Sequence, residues 1–336
     1  MSKLSVGIVG LPNVGKSTLF KALTKAEVNV ANYPFATIDP NVGVVSVPDE
    51  RLDKLASLSS SVLKIPAVVE FYDIAGLVKG ANEGEGLGNQ FLAHIKEVRV
   101  IVHVVRVFAA GEIIHVEGSI DPPRDFEIIN TELMLKDLEI MERRVDKAEK
   151  EARTGDKKKQ QELSFLEKVK KTLEGGELAI SLGDEVVEAE VIRELGLLTA
   201  KPQIVLFNGL EGEVSEDLKA KIGQFGFEYV VMDLSTSVSL AELIRQAYKT
   251  LDLITFFTTG EKETRGWTVK RGALAPQAAG VIHTDFEQKF IRAEAIHTEK
   301  LLEAGGWAQA RDKGWIRTEG KSYEIQDGDV LVIRHS

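Results

Sequence analysis

A glycine-rich segment near the start of the chain combines a lysine and a serine at a characteristic spacing. Residues 10–17 read Gly-Leu-Pro-Asn-Val-Gly-Lys-Ser and satisfy the pattern G-x-x-x-x-G-K-[ST]. A predicted apolar strand (Val6–Gly10) precedes the segment and a predicted helix (Ser17–Lys25) follows it, so backbone N–H groups and the helix N-terminus can together bind a phosphate. The pattern predicts that Lys16 reaches the β- and γ-phosphates of a nucleotide and that the Ser17 hydroxyl binds Mg²⁺. The other predicted nucleotide-binding residues of this loop are Asn13, Val14, Gly15 and Thr18.

A second motif follows the β-branched run that ends at Asp73. It reads Asp73-Ile74-Ala75-Gly76, and it predicts that Asp73 holds Mg²⁺ through water while the backbone N–H of Gly76 contacts the γ-phosphate. Thr37 lies between the two motifs and is the candidate for the threonine that closes on Mg²⁺ when the γ-phosphate is present. A plain turn at Gly76 and a purely structural loop at Thr37 are the alternatives.

The attacking water has no obvious partner in the sequence. The residue after Gly76 is Leu77, whereas Ras-like enzymes place a water-orienting glutamine there. An aliphatic side chain cannot orient water, so turnover is slow or another group supplies the contact. His115 is a candidate because an imidazole can hydrogen-bond water at neutral pH; a histidine that is merely packed or solvated is the alternative.

The turn after a later apolar strand has the position of a base-reading motif but not the guanine type. It reads Asn208-Gly209-Leu210-Glu211, without the lysine of Asn-Lys-x-Asp and with glutamate in place of aspartate. The extra methylene moves the carboxylate by about 1.5 Å, which spoils a bidentate fit to guanine. A backbone N–H and C=O pair at Gly209 could instead match adenine. We therefore assign Asn208, Gly209 and Glu211 to nucleotide binding, with a turn that does not touch the base as the alternative.

The elements that would position these motifs alternate between strand and helix. This order predicts an α/β domain with a mostly parallel sheet. Between about 128 and 174, Leu138, Met141, Val145 and Ala148 recur at helical spacing, and a second such series follows Thr154-Gly155-Asp156. We predict an antiparallel helical hairpin inserted into the α/β domain. The predicted domains are 1–127 with 201–274, the insertion 128–200, and a C-terminal module 275–336.

Composition excludes several classes of protein. The 336 residues are 43% hydrophobic and 28% charged, which is typical of globular chains. No cysteine is present, so disulfides, thiolate metal sites and thiol nucleophiles are excluded. The apolar runs are too short to span a membrane, and the N-terminus has no signal-peptide pattern. The net charge of −10 argues against general coating of nucleic acid. We expect a cytoplasmic protein that binds neither membrane nor DNA and acts as a monomer.

These motifs together resemble the YchF-type Obg-like ATPases, a family of translation-factor-related phosphate-loop proteins. The resemblance also includes Asn32-Tyr33-Pro34-Phe35, the glycine-rich stretch 84–91, and the segments 275–280 and 283–287. It implies a Ras-like phosphate-loop NTPase domain with an inserted α-helical coiled-coil hairpin and a C-terminal β-grasp (TGS) domain. The stretch 233–240 looks shorter than in the family, and we predict no site residue in it.

The resemblance further implies Mg²⁺-dependent, slow hydrolysis of ATP in preference to GTP, with Leu77 as the expected residue at its position. It also implies binding to the ribosome, through the large subunit or both subunits, and RNA contact by the hairpin and the TGS domain. An Obg-like GTPase and a nucleotide-gated binding module with negligible turnover are the alternatives. The basic residues expected to contact RNA are Arg143, Arg144, Lys147, Lys157, Lys158, Lys159, Lys270 and Arg271.

Overall fold

The computed structural model describes residues 5–25, 42–73, 98–108, 119–187, 189–237 and 239–336. The chain divides into two compact units. The first contains Met1–Leu23, Asp39–Gly43 and Glu70–Ser239, and the second contains Thr24–Ile38, Val44–Val69 and Leu240–Ser336. The phosphate-loop pattern and the Asn208 turn both belong to the first unit, which therefore carries the candidate site.

Six strands form the first sheet: β1 (Ser5–Val9), β2 (Val42–Ser46), β4 (Val68–Asp73), β5 (Val100–Arg106), β6 (Gln203–Asn208) and β7 (Glu228–Met232). Their order in the sheet is β2-β4-β1-β5-β6-β7, and the carboxyl-terminal edge of the sheet lies in the first unit. The register places Ile8 beside Asp73 and Arg106 beside Asn208, and β4, β1, β5, β6 and β7 pair in parallel. β5 (VIVHVVR) is buried at every position, as expected for a parallel strand covered on both faces. The helices α1 (Lys16–Lys25) and α7 (Glu216–Gln224) accompany this sheet.

The helical hairpin consists of α3 (Pro122–Ala152) and α4 (Lys157–Glu174). Asp156 caps α4 by accepting a hydrogen bond from the Lys158 backbone N–H. The two predicted apolar series form one buried core, which includes Met141, Val145, Leu166 and Leu173, so the helical periodicity is confirmed. The return to the sheet runs through a 3₁₀ turn (Ala179–Leu182), α5 (Asp184–Val187) and α6 (Glu190–Leu195).

A carboxylate ties the return segment to the root of the hairpin. Asp137, buried on α3, accepts hydrogen bonds from the backbone N–H groups of Leu198 and Thr199 and from the Thr199 hydroxyl. Burial raises the pKa of Asp137 to about 6, an effect that these three donors and Lys201 partly offset. The hairpin is therefore anchored at its base.

The second unit contains another six-stranded sheet, in the order β11-β10-β12-β8-β9-β3. β8 and β12 run parallel, and β8 pairs with β9 as an antiparallel hairpin. Its elements are α2 (Glu50–Leu58), β3 (Leu63–Ile65), α8 (Ala241–Thr250), β8 (Leu253–Thr259), β9 (Glu263–Lys270), α9 (Ala275–Ile282), α10 (Thr284–Gln288), β10 (Phe290–His297), α11 (Thr298–Ala304), α12 (Trp307–Asp312), β11 (Arg317–Glu319) and β12 (Asp329–His335).

The expected α/β fold with an inserted helical hairpin and a C-terminal α/β module is confirmed, but the C-terminal sheet starts before residue 275. β8 and β9 precede that residue and hold the centre and one side of the sheet. The division at 275 stays a prediction as a domain boundary. Within the described ranges, no helix is both long enough and apolar enough to cross a membrane.

Candidate nucleotide-binding site

The carboxyl ends of neighbouring parallel strands bring the predicted residues of the first unit to one edge of the sheet. Gly10 follows β1, Asp73 ends β4, Arg106 ends β5 and Asn208 ends β6. Crevices at this edge are where open α/β sheets bind their ligands. The structure thus brings together the phosphate-loop residues, Asp73 and the Asn208 turn.

The backbone of the loop requires its two glycines. Gly10 and Gly15 have φ values of +151° and +108°, and Asn13 adopts the left-handed conformation at φ 63°. A Cβ on Gly10 would lie 2.5 Å from the Val104 carbonyl oxygen, and one on Gly15 would lie 2.5 Å from Asn208 Nδ2. Larger residues at either position would force the loop away from β5 or β6. The two glycines of the pattern are therefore explained by close approach as well as by backbone conformation.

Lys16 begins α1, and its ammonium group is directed back across the loop. Nζ donates hydrogen bonds to the carbonyl oxygens of Gly10 (2.8 Å) and Leu11 (2.6 Å). Burial lowers the pKa of Lys16 to about 8, and the charge of Asp73 partly offsets this effect. The pKa of Asp73 is raised, mainly by burial and against the opposing influence of Lys16. A polyanion bound at the loop would supply a negatively charged partner for this ammonium group, which otherwise donates to two neutral carbonyl oxygens.

The oxygen donors near the loop fit Mg²⁺. The exposed Ser17 starts α1 with Lys16, and the Asp73 carboxylate lies close enough to Lys16 for each to shift the other's pKa. Across the described part of the chain, no group of three or more His, Cys, Asp or Glu side chains could hold a metal ion by itself. Mg²⁺ is typically bound by one or two protein oxygens, waters and substrate phosphates, rather than by an all-protein cage. Ser17 and Asp73 are a donor set of that kind.

Asn208 connects the phosphate loop to the loop after β7. Its Nδ2 donates to the Val14 carbonyl oxygen (2.9 Å), and its Oδ1 accepts from the Leu234 backbone N–H (3.0 Å). The side chain is buried, so both bonds are shielded from water. Asn208 therefore holds two loops of the site in register, and Leu234 lies in the stretch where no site residue was predicted.

The rest of the turn uses its hydrogen-bonding groups internally. The Gly209 N–H donates to the Met232 carbonyl oxygen (3.1 Å), and the Leu210 N–H donates to Glu213 Oε2 (2.7 Å). The Glu211 carboxylate accepts a hydrogen bond from Lys219 Nζ (2.6 Å) and is largely exposed. The donor that the sequence assigned to adenine is thus already engaged by β7, and the predicted carboxylate forms an ion pair on the surface.

Two family models match the chain. The model described as a 50S ribosome-binding GTPase matches residues 5–144, and that of the YchF GTPase C-terminal region, described as a protein of unknown function, matches residues 253–336. The ribosome-binding ATPase YchF of Bacillus subtilis (strain 168) is 45% identical over 98% of this chain and 99% of its own. The chain belongs to the YchF family.

Other YchF proteins match along nearly the whole length. The ribosome-binding ATPase YchF of Escherichia coli O157:H7 is 46% identical, over 97% of each chain. The solved structure of the Schizosaccharomyces pombe YchF GTPase matches with a TM-score of 0.84 and 39% identity, covering 99% of this chain and 98% of that one. The candidate site and the C-terminal sheet are therefore both parts of the YchF fold.

Sequence reasoning missed two residues beside the Asn208 turn of this YchF chain. Arg106 is fully buried at the end of β5, and its Nε donates to the Phe108 carbonyl oxygen (3.2 Å). Its guanidinium lies 4.6 Å from the centroid of the half-buried Phe108 ring. A Cβ on Gly209 would lie 3.2 Å from the Phe108 backbone nitrogen, so this segment adjoins the turn. The only sequence signal was an arginine that ends a strand whose other residues, apart from His103, are valine and isoleucine.

Three predicted catalytic residues of the YchF chain, Thr37, Gly76 and His115, lie outside the described residues, as does Leu77. Their roles stay predictions. The structure provides geometry for the phosphate loop, for Asp73 and for the turn from Asn208 to Glu211.

Proposed function

We propose that this protein is a Mg²⁺-dependent ATPase that hydrolyses ATP to ADP and phosphate and binds the ribosome under control of the bound nucleotide. The main observation in support is the phosphate loop, with Lys16 directed across it and Asp73 at the end of β4, the strand that pairs with β1. The names of the Bacillus subtilis and Escherichia coli relatives, ribosome-binding ATPases, support the same function.

The chemistry of the site is positioning and charge stabilisation rather than covalent catalysis. The backbone N–H groups at the start of α1 and the Lys16 ammonium stabilise negative charge that builds up on the transferred phosphoryl group. Ser17 and Asp73, with Thr37 from the sequence prediction, would hold Mg²⁺, which neutralises charge on the phosphate oxygens when it is bound. The aliphatic Leu77 in place of a water-orienting glutamine supports slow intrinsic turnover.

The preference for ATP is supported by what the Asn208 turn does not offer to guanine. A guanine-reading carboxylate must accept from two base N–H groups, whereas Glu211 already pairs with Lys219.

Calorimetric titration should give tighter binding for ATP than for GTP. Glu211→Ala should change ATP affinity by less than about twofold, because exposed ion pairs contribute little. Tighter binding of GTP would favour the Obg-like GTPase, an alternative that agrees with the names of one matching family model and of the fission-yeast structure.

Turnover separates the ATPase from a nucleotide-gated binding module, the alternative that Leu77 favours. Phosphate release should be slow for the protein alone and faster with ribosomes, because a partner can supply the water contact that Leu77 cannot make. Absence of stimulation by ribosomes, together with tight ATP binding, would favour the binding module.

ATP affinity should depend on pH through Lys16. Its pKa of about 8 in the free protein means that the ammonium loses its proton as pH rises through that value. A bound triphosphate raises this pKa because opposite charge favours the ammonium form. At about pH 8.5, where phosphate groups with a pKa near 6 are fully ionised, binding should take up a fraction of a proton, and affinity should fall at higher pH. Calorimetry in buffers of different ionisation enthalpy measures the uptake; zero uptake at this pH would contradict the assignment.

The basic side chains of the hairpin are the candidates for ribosome contact, and they fall into two groups in the structure. Arg144 joins α3 to α4 by its hydrogen bond to Glu162, and Lys159 pairs with Glu151 (3.3 Å) and Glu162 (3.6 Å). The side chains of Arg143, Lys157 and Lys158 are exposed and form no ion pair within the described ranges. We assign RNA contact to this second group and a structural role to the first.

Reversing the charge of the second group should weaken ribosome binding in a salt-dependent way. For Arg143→Glu combined with Lys157→Glu, we expect a weaker complex and a smaller slope of log affinity against log salt, because fewer counterions are released from phosphates. Glu142→Lys, at the exposed residue that precedes Arg143 on α3, is the matched control, and it should strengthen binding. Co-sedimentation over a range of salt concentrations measures both. Equal slopes for all three proteins would remove the hairpin from the interface.

A further inference from the structure

Residues 44–69, called here the α2–β3 segment, lie between the phosphate loop and Asp73 in the sequence but in the second unit of the structure. The chain passes from one unit to the other inside β2 and again inside β4. The second passage leads directly to the candidate site, because Val68 and Val69 belong to the second unit and β4 then continues from Glu70 to Asp73.

The α2–β3 segment is built into the C-terminal sheet. β3 pairs in parallel with β9, in the register Leu63 to Glu263. Leu52 and Leu55 of α2 are buried in one hydrophobic core with Phe257 of β8 and Val330 of β12. The segment therefore moves with the C-terminal sheet as one packed body, since close-packed cores transmit displacement rather than absorb it.

Arg51 links the α2–β3 segment to the turn before β12 by a hydrogen-bonded ion pair. Arg51 Nη1 donates to Asp327 Oδ2 (2.6 Å), and the same guanidinium pairs with Asp49 (2.7 Å) and lies 5.3 Å from the centroid of Phe257. Asp327 in turn accepts from the Thr255 backbone N–H (2.9 Å). The arginine holds the pKa of Asp327 below its usual range even though burial opposes this.

We propose that the α2–β3 segment couples the nucleotide bound at Lys16 to the C-terminal sheet. The inference rests on the proposed function, because it requires that Asp73 respond to the nucleotide. A displacement of Asp73 is a displacement of the end of β4, and the start of the same strand belongs to the body that contains the C-terminal sheet. β4 is hydrogen-bonded to β1 from Glu70 to Asp73, so a displacement of Asp73 is carried along the strand toward Val68 and Val69 and the packed body to which they belong.

Tryptophan fluorescence can report on this coupling without a label. All three of its tryptophans, Trp267, Trp307 and Trp315, are in the second unit. Trp307 and Trp315 pack against the core that contains Leu52 and Leu55. The nucleotide site belongs to the first unit, so a change in tryptophan emission on nucleotide binding reports on the second unit.

The experiment compares emission with a non-hydrolysable ATP analogue and with ADP, while calorimetry measures the affinity for each nucleotide. In the unmodified protein the two emission spectra should differ. Arg51→Ala should lose most of this difference, with affinity for the analogue largely retained, because Arg51 is not a ligand of the nucleotide. Lys64→Ala is the matched control: it also removes a cation of the segment, but among the described residues Lys64 forms an ion pair with Asp53 of the same segment alone (2.7 Å), so the difference should persist.

A second variant covers the case in which Arg51→Ala does not fold. Asp327→Asn keeps an oxygen to accept from Thr255 but removes the charge that faces Arg51, and it should also lose the difference. Binding of the analogue with emission identical to that of the ADP form would overturn the coupling alone. Failure of the analogue to bind would overturn the proposed function and the coupling with it. An undiminished difference in a folded Arg51→Ala or Asp327→Asn protein would also overturn the assignment.

Discussion

Lys16→Ala should reduce ATP affinity by about 100-fold or more, because hydrogen bonds to charged groups contribute about 1.5–3 kcal/mol each and contacts to two phosphates would be lost. Hydrolysis should fall by a further factor of about 10²–10³, the usual effect of removing one donor that stabilises transition-state charge. Titration calorimetry and phosphate release under single-turnover conditions measure the two effects separately. Affinity that stays within about threefold of the unmodified protein would mean that the triphosphate binds elsewhere.

Lys201→Ala is the matched control for this substitution. Lys201 is also half-buried, its Nζ also donates to a backbone carbonyl, that of Val98, and burial lowers its pKa to about 8 as well. It lies just before β6 (Gln203–Asn208), beyond the end of that strand opposite to Asn208. If Lys16 acts through the phosphates rather than through general stability, Lys201→Ala should leave ATP affinity unchanged, and both variants should unfold cooperatively.

The backbone geometry of the phosphate loop could be predicted because it leaves little choice of residue, whereas the role of each residue in nucleotide binding stays a prediction. A lysine at the start of a helix and glycines that approach β5 and β6 closely are local requirements, and they appear as fixed spacing in the sequence. The hairpin core was equally predictable, since helical periodicity alone selects Met141, Val145 and Leu166.

What could not be predicted depends on contacts between distant parts of the chain. The pairing of β3 with β9 joins residues some two hundred positions apart, and neither strand has a strong alternating pattern. For the same reason the sequence could not show that β8 and β9, which precede the predicted boundary at 275, share a sheet with the strands that follow it; the boundary itself stays a prediction. The base turn shows a further limit, because the sequence predicted a free donor at Gly209 and could not show that β7 already uses it.

Asn208→Ala should lower both the stability of the first unit and the affinity for ATP. The substitution leaves the Val14 carbonyl oxygen and the Leu234 N–H buried without their partner, and each unpaired group costs about 1–3 kcal/mol. We expect the free energy of unfolding to fall by about 2 kcal/mol or more. ATP must then order the phosphate loop as it binds, so affinity should fall by about tenfold, the equivalent of 1.4 kcal/mol.

Asn130→Ala separates these two effects, because the first unit contains a second buried asparagine with the same number of hydrogen bonds. Asn130 Nδ2 donates to the Phe126 carbonyl oxygen (3.1 Å) and its Oδ1 accepts from Gln203 Nε2 (2.9 Å), and its exposure, 5%, matches the 4% of Asn208. Both variants should lose comparable stability in denaturant titrations, but only Asn208→Ala should lose ATP affinity, since only Asn208 contacts the phosphate loop. Equal losses of affinity in the two variants would show that the effect of Asn208 is one of general stability, and the bond to Val14 would then have no role in positioning the phosphate loop.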